Sequence, residues 1–305
     1  MQRSTGKTQH KGISDRHLAL LLVLPAALLL AVFSIYPFLQ AAFDSLFHLP
    51  LATRRGTFVG LSNYVQVFHE ESIQRAFGRT LLWTVSNIVV QTGLGLLIAL
   101  LLNARLYGQT LARGLVLFPY MIPAIVVATV FRFTFNDITG IASYLWLKIP
   151  GVHEPIYFLS QPTTALLTVT VVNCWKYTPF IVIVLLARLQ TVPRDLYEAA
   201  QIDGAGRLAL LWYVTIPWLL PVLLVALLLR TIWTVNDFDV IYLLAYGGPL
   251  DATTTLPLEI RRLAFGRQDV GLASALAVLV AIGISVIGLV YLWLYRGSEA
   301  RLHER

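Results

Sequence analysis

Thr191–Pro221 reads TVPRDLYEAAQIDGAGRLALLWYVTIPWLLP, a polar stretch set between two long apolar runs. Pro193 suits the first turn of a helix, where its missing N–H leaves nothing unpaired. Asp195 and Glu198 then fall near the positive end of the helix dipole. Leu196, Ala199, Ala200 and Asp203 recur at helical spacing, and Gly204 and Gly206 are placed to stop the helix and turn the chain. A second helix is expected from about Arg207, with Pro217 and Pro221 marking its passage into an apolar environment. The stretch therefore predicts a short amphipathic helix–turn–helix lying at a membrane surface.

The rest of the chain agrees with a membrane setting. Of 305 residues, 57% are hydrophobic and 13% charged, about half the charge of an ordinary soluble domain, roughly 25%. Mean hydropathy is +0.72. The formal charge of +7 fits basic cytoplasmic loops better than a nucleic-acid partner, because no basic patch is interleaved with exposed aromatics. A single cysteine, Cys174, excludes an internal disulfide framework and a multi-cysteine metal site, and its apolar surroundings predict inert packing.

Six apolar runs follow one another. They cover about 18–38, 80–102, 115–135, 163–189, 214–244 and 270–295, each able to cross roughly 30 Å of hydrocarbon. Pro119 and Pro123 are expected to bend the third. Polar excursions occupy 48–77, 136–160 and 245–269, and a short basic turn occupies 103–113. The expected division is a cytoplasmic N-terminal tail over 1–16, a six-helix domain over 17–296 with a polar loop at 191–213, and a short tail over 297–305. An even number of spans places both termini on one side. Lys and Arg set which side. Arg3, Lys7, Lys11, Arg16, Arg105, Arg113, Arg188, Arg194, Arg207, Arg296, Arg301 and Arg305 outnumber Arg54, Arg55, Arg75, Arg79, Lys148, Arg261, Arg262 and Arg267, which puts the termini and the 191–213 loop in the cytoplasm.

Catalytic signatures are missing. There is no G-x-x-x-x-G-K-[ST] loop, so the chain is not expected to hydrolyse ATP, and no H-E-x-x-H. The six histidines, His10, His17, His48, His69, His153 and His303, fall in tails or loops by this reading, and none forms an i, i+4 pair for a metal. Charged residues within an apolar run are the positive signal, since they are costly there and usually face a bundle interior or an aqueous path. In the fifth run, LLLRTIWTVNDFDVIYLL (227–244) puts Arg230, Thr234, Asp237 and Ile241 on one helical stripe with Trp233 beside it. Asn236 and Asp239 extend the polar region outward. An aromatic face next to hydrogen-bonding groups suits a sugar ring, whose C–H face stacks while its hydroxyls are bonded. Gly271, Ser274, Ala275 and Ala277 in the sixth run are small enough for close helix contact, expected against a second membrane subunit.

Several of these stretches resemble one family. Glu198-Ala199-Ala200, Asp203-Gly204-Ala205, Ile216-Pro217 and Pro221 look like the cytoplasmic "EAA" loop of permease subunits in ATP-binding-cassette importers. PRDLYEAAQIDGA (193–205) resembles the carbohydrate branch, of the maltose permease large-subunit or sugar-glycerophosphate permease type. Phe58–Phe68 resembles the family's segment after the first span, Asn236-Asp237-Phe238 with Gly247-Gly248-Pro249 its N-N-F…GGP stretch, and NCWKYTPF (173–180) its N-x-W-x-x-x-P-[YF]. The resemblance implies an all-α type I importer permease fold with six transmembrane helices. It implies a coupling helix through Glu198, Ala199, Ala200, Asp203 and Gly204, and substrate contacts at Arg230, Trp233, Thr234, Asp237, Tyr177 and Phe180, with Lys176 beside them.

Two departures from the maltose pattern matter. Arg230 replaces a small polar residue and Asp237 an asparagine. A guanidinium is built to clamp carboxylate, phosphate or sulfonate groups, so an anionic sugar is one reading. Neutralisation of Arg230 by Asp237, leaving a neutral glycoside, is the other. The resemblance further implies a bacterial inner-membrane setting, a second homologous permease subunit, two ATPase subunits holding ATP and Mg, an extracytoplasmic solute-binding protein, a lipid surround, and no cofactor or metal in this chain. A stand-alone secondary transporter or channel is the competing expectation, although such folds often show more spans or visible repeats.

Overall fold

A computed structural model describes residues 15–53, 56–104 and 107–303, with side chains described from 21 to 296 outside those gaps. Most of the expected N-terminal tail lies outside the described residues. So do Arg3, Lys7, Lys11, Arg54, Arg55, Arg105 and Arg305, which entered the orientation count.

The first span is α1 (Asp15–Leu30), a π-helical turn at Ala31–Ile35, and α2 (Tyr36–Asp44). A two-residue hairpin, β1 (Phe47–His48) and β2 (Thr57–Phe58), pairs Phe47 with Phe58. Then come α3 (Ser62–His69), α4 (Glu71–Asn103), α5 (Gln109–Met121), α6 (Ala124–Thr134), α7 (Ile141–Trp146) and α8 (Pro162–Leu189). The polar loop holds α9 (Arg194–Ile202). Next are α10 (Arg207–Leu210), a π turn at Leu211–Thr215, α11 (Ile216–Val235), α12 (Asp239–Ala245), α13 (Leu256–Arg261), a π turn at Arg262–Gly266, and α14 (Val270–His303). Among the described residues, five helices are long and apolar enough to cross a membrane, and the bent pair α5–α6 brings the number to six when counted as one span.

The differences from the sequence reading have local causes. The third run is broken rather than bent: α5 and α6 meet at 94°. Pro123 excludes the α conformation from the residue before it, and Ile122 is extended at φ −73, ψ 133. The fifth run also breaks, between Val235 and Asp239. There the Asp237 carboxylate accepts the Val240 N–H at 3.4 Å, a local competition that short acidic side chains offer the helical backbone. Asp237 and Ile241 therefore do not share one helical stripe with Arg230 and Thr234. The second helix begins at Glu71, well before the apolar run, and α14 continues to His303 in place of a tail from 297. His17, His69 and His303 accordingly lie in helices.

Packing centres on α4 against α8. A Cβ on Gly95 would overlap Ile181, so glycine is what lets the two helices approach. Trp83, Asn87, Gln91, Gly95 and Ala99 recur every four residues on the buried face of α4. Their order sets the layering of the bundle. Trp83 joins an outer apolar cluster with Val127, Val169, Val172, Val240, Ile241 and Leu244. Ala99 joins an inner one with Ile181, Val182, Leu185, Leu189, Leu219 and Ala226. The two amides between them face a polar layer.

A third cluster joins α3, α4, α13 and α14 near the outer end, through Val67, Ile73, Ala76, Leu256, Leu263, Leu272 and Ala275. The small residues of the sixth span are spent here: Ser274 and Ala275 are buried within this chain, and Gly271 passes close to the Phe47 carbonyl. These three are covered by this chain's own elements, while Ala277 is half-buried. Polar contacts clasp this end. Glu259, fully buried, accepts Ser72 Oγ at 2.8 Å and pairs with Arg262 at 2.9 Å. Arg262 also reaches Asp251 at 2.8 Å, and Arg267 reaches Glu70 at 3.0 Å. Partial burial alone would lower the Arg262 pKa, but the two carboxylates outweigh it and raise it. The first span contrasts with all of this, because every residue from 21 to 40 is exposed and only its outer end, α2, packs on α14.

Candidate functional site

The amides of the polar layer link three helices. Gln91 Nε2 donates to Asn87 Oδ1 at 3.2 Å and to Asn173 Oδ1 at 3.1 Å. Asn173 Nδ2 donates to Asp237 Oδ2 at 2.6 Å, and Gln91 Oε1 accepts Arg230 Nε at 2.9 Å. Arg230 and Asp237 are thus bridged through two amides rather than joined in a direct ion pair. Arg230 is 2% exposed. Its Nη2 donates to Thr234 Oγ1 at 3.2 Å, and its guanidinium carbon lies 4.6 Å from the Tyr177 ring centre. Trp83 Nε1 donates to the Thr234 carbonyl at 3.0 Å, which fixes the last turn of α11 just before its break. A buried charge is tolerable only when its surroundings satisfy it, and here the relay engages Arg230 through Nε and Nη2.

A pocket of about 400 Å³ opens beside the relay, lined by Tyr120, Tyr177, Arg230, Trp233, Asn236, Asp237, Phe238 and Asp239. It lies at both helix breaks: Tyr120 is in the last turn of α5, and Asn236–Phe238 separate α11 from α12. Irregular backbone at membrane depth belongs where it lines a cavity, and broken helices are how many transporters build such sites. Asn87, Gln91 and Asn173 sit near the middle of α4 and α8, which puts the pocket at mid-depth. Its lining mixes four aromatic rings with Arg230, Asn236, Asp237 and Asp239. Phe180 packs edge-on against Trp233 at 5.1 Å and stacks on Tyr120 at 6.2 Å.

The structure divides the expected contact residues into two groups. Arg230, Trp233, Asp237 and Tyr177 line the pocket. Thr234, 1% exposed, and Phe180 stand behind it as supports. Lys176 turns away: 4% exposed, it donates to the Ile122 carbonyl at the α5–α6 break and lies 5.0 Å from the Tyr177 ring centre. That position satisfies the carbonyl left open by the break, and Lys176 is not among the residues lining the pocket. The sequence reading missed Tyr120 and Phe238 as lining groups, and Asn87 and Gln91 as partners. The i, i+4 pair of amides within an apolar run was the signal for the last two. Cys174 is buried and donates to Asn87 Oδ1 at 3.4 Å.

At the opposite end, α9 has no buried residue. Pro193 precedes the helix instead of occupying its first turn, Asp195 lies in that turn, and Asp203 ends it. Gly204 follows at φ +84, a left-handed conformation that costs a side-chain-bearing residue roughly 1–2 kcal/mol. Glu198, Ala199, Asp203 and Gly204 are exposed and Ala200 is half-buried, with Leu196 and Ile202 also open. Tyr197 alone ties the helix back, its hydroxyl 3.0 Å from Thr215 Oγ1 at the foot of α11. This is a projecting apolar and acidic ridge, fixed to a span that reaches the pocket.

The sequence profile of the family described as binding-protein-dependent transport system inner membrane component matches residues 91–304. The trehalose/maltose transport system permease protein MalF of Thermococcus litoralis is 37% identical over 281 residues, covering 91% of this chain and 93% of that protein. The sulfoquinovosyl glycerol transport system permease protein SmoG of Agrobacterium fabrum is 33% identical over 293 residues, covering 96% and 94%. Among solved structures, a chain of a bacterial ABC transporter involved in the import of the acidic polysaccharide alginate superposes with a TM-score of 0.78 at 25% identity, covering 92% of this chain and 95% of that one.

Proposed function

Because the chain belongs to the family of binding-protein-dependent transport system inner membrane components, we propose that it is the permease subunit of an ATP-driven importer that carries a sugar or glycoside through the mid-depth pocket. The observation that carries this reading is the pocket itself, in which the rings of Tyr120, Tyr177 and Trp233 share the lining with Asn236, Asp237 and Asp239 between two helix breaks. Rings stack on C–H faces, and carboxylates and amides bond hydroxyls. The relatives named for trehalose, maltose and sulfoquinovosyl glycerol support a saccharide class.

The substrate favoured by the charges is a neutral glycoside. Arg230 is largely hidden and committed to Gln91, Thr234 and Tyr177, while Asp239 is the exposed charge of the pocket. One observation favours an anionic sugar instead: Arg230 Nη1 has no hydrogen-bond partner among the described residues, yet Arg230 lines the pocket. In operation the chain pairs with a second homologous permease subunit, toward which the uncovered first span can pack. It receives substrate from an extracytoplasmic binding protein. Two ATPase subunits, which hold ATP and Mg, engage α9 through Glu198, Ala199, Ala200, Asp203 and Gly204. With both termini cytoplasmic, closure of the ATPases moves α9 and hence α11, and exposes the pocket alternately to the two sides.

The test is ATP hydrolysis by the purified complex with liganded binding proteins, comparing neutral and anionic glycosides. Stimulation by a neutral disaccharide is expected. Stimulation by anionic ligands alone would assign the free Arg230 donors to substrate, and stimulation by no saccharide would overturn the sugar reading.

A further inference from the structure

An aromatic ladder leaves the pocket outward along α12. Phe238, which lines the pocket, is followed at i+4 and i+8 by Tyr242 and Tyr246. Phe238 caps the start of α12 and Tyr246 its end, so the three rings follow one another along this short helix. Phe238 and Tyr242 are stacked with ring centres 4.9 Å apart, and Tyr242 and Tyr246 meet edge-on at 5.2 Å. The packing face of α12 is a different one, made of buried Val240, Ile241 and Leu244. Phe238 and Tyr242 also lean on that cluster but stay half-buried, and Tyr246 is 55% exposed, so part of each ring is left uncovered.

Each tyrosine carries an arginine. The Arg261 guanidinium carbon lies 4.5 Å from the Tyr242 ring centre, and that of Arg132 lies 4.7 Å from the Tyr246 centre, with Arg132 Nη1 donating to the Tyr246 hydroxyl at 2.9 Å. Both arginines are exposed, and neither has a carboxylate partner among the described residues. A charge near the outer end of a span faces water or an aqueous path. Planar rings beside uncommitted N–H donors are the chemistry that holds saccharides weakly.

We propose that Phe238, Tyr242 and Tyr246, flanked by Arg261 and Arg132, form an outer saccharide track that passes the sugar from the extracytoplasmic mouth to the mid-depth pocket. This rests on the saccharide reading of the pocket. Weak binding at successive rings lets the sugar advance without being trapped, as conduction through any multi-site path requires.

The test uses the complete transporter in proteoliposomes, with its binding protein and a panel of radiolabelled neutral and anionic glycosides, following the glycoside that the unmodified complex moves best. Uptake and stimulated ATP hydrolysis are read together. Tyr242→Leu combined with Tyr246→Leu removes the rings and keeps an apolar helix. The expected result is uptake lowered roughly fivefold to tenfold, with ATP hydrolysis within about twofold of the unmodified complex, so that less sugar moves per ATP. Tyr242→Phe with Tyr246→Phe, which keeps the rings, should restore most of the uptake. Unchanged uptake in the leucine variant overturns the track alone. Equal loss of uptake and hydrolysis, without rescue by phenylalanine, overturns it in favour of a packing role. An unmodified complex that moves no glycoside at all overturns the saccharide reading and the track with it.

Discussion

The pocket and the α9 ridge are built by opposite means. The ridge is local: its helix, its left-handed glycine and its exposed acids come from consecutive residues, and one hydrogen bond, Tyr197 to Thr215, secures it. The pocket is assembled from α5, α8, α11 and the start of α12, and is held open by a relay that adds α4. A surface made from one short segment can adapt to a partner. A polar cavity inside a bundle must be fixed in advance, because an unsatisfied group there has no water to turn to. The two regions are joined by α11, which carries Thr215 at its foot and Arg230 and Thr234 near its broken end.

Substitutions can break or sharpen this contrast. Arg230→Ala should have the largest effect, because it strips the Gln91 acceptor and leaves Asp237 without its nearby positive charge. Removing one partner of a buried charged network costs about 3–5 kcal/mol, to be seen as lower thermal stability of the purified complex together with lost uptake. A variant as stable as the original would show the relay to be dispensable. Lys176→Met should cost about 1–3 kcal/mol by orphaning the Ile122 carbonyl at the α5–α6 break. If Lys176 touched substrate instead, stability would hold and only apparent affinity would fall.

Gly204→Val should cost roughly 1–2 kcal/mol of local strain and act only on the ridge. Stimulated ATP hydrolysis should fall, while photolabelling of the pocket by a glycoside probe remains. Loss of pocket labelling would mean that the two regions are one unit. The smallest effect is expected for Arg75→Gln, which removes the exposed helical pair with Glu71. Such pairs contribute about 0.3–0.5 kcal/mol, so uptake and melting temperature should stay within error. A clear shift would show that the outer end of α4 is strained in a way its contacts do not reveal.

The difference in how each region is built also decides how much of it can be read from residues in order. The α9 helix and its stop at Gly204 follow from proline, acid and glycine placement. The six spans follow from apolar length, since a bilayer imposes one thickness on every segment that crosses it. Arg230 and Asp237 stood out because charge inside hydrocarbon is rare. Sequence alone determined those features, and with them the all-α membrane fold. It placed Lys176 next to substrate because neighbours along the chain look alike until a bundle turns one of them aside. It carried Asp237 along a helix that in fact ends at Val235, because a carboxylate bonding a backbone N–H three residues on is invisible to periodicity. It sent the small residues of α14 toward another subunit, when the hairpin and α3 of this chain cover them. Only the tertiary structure decided which polar groups meet: Gln91 on α4, Asn173 on α8 and Arg230 on α11 lie far apart in sequence, and their hydrogen bonds exist only because Gly95 lets α4 and α8 come close.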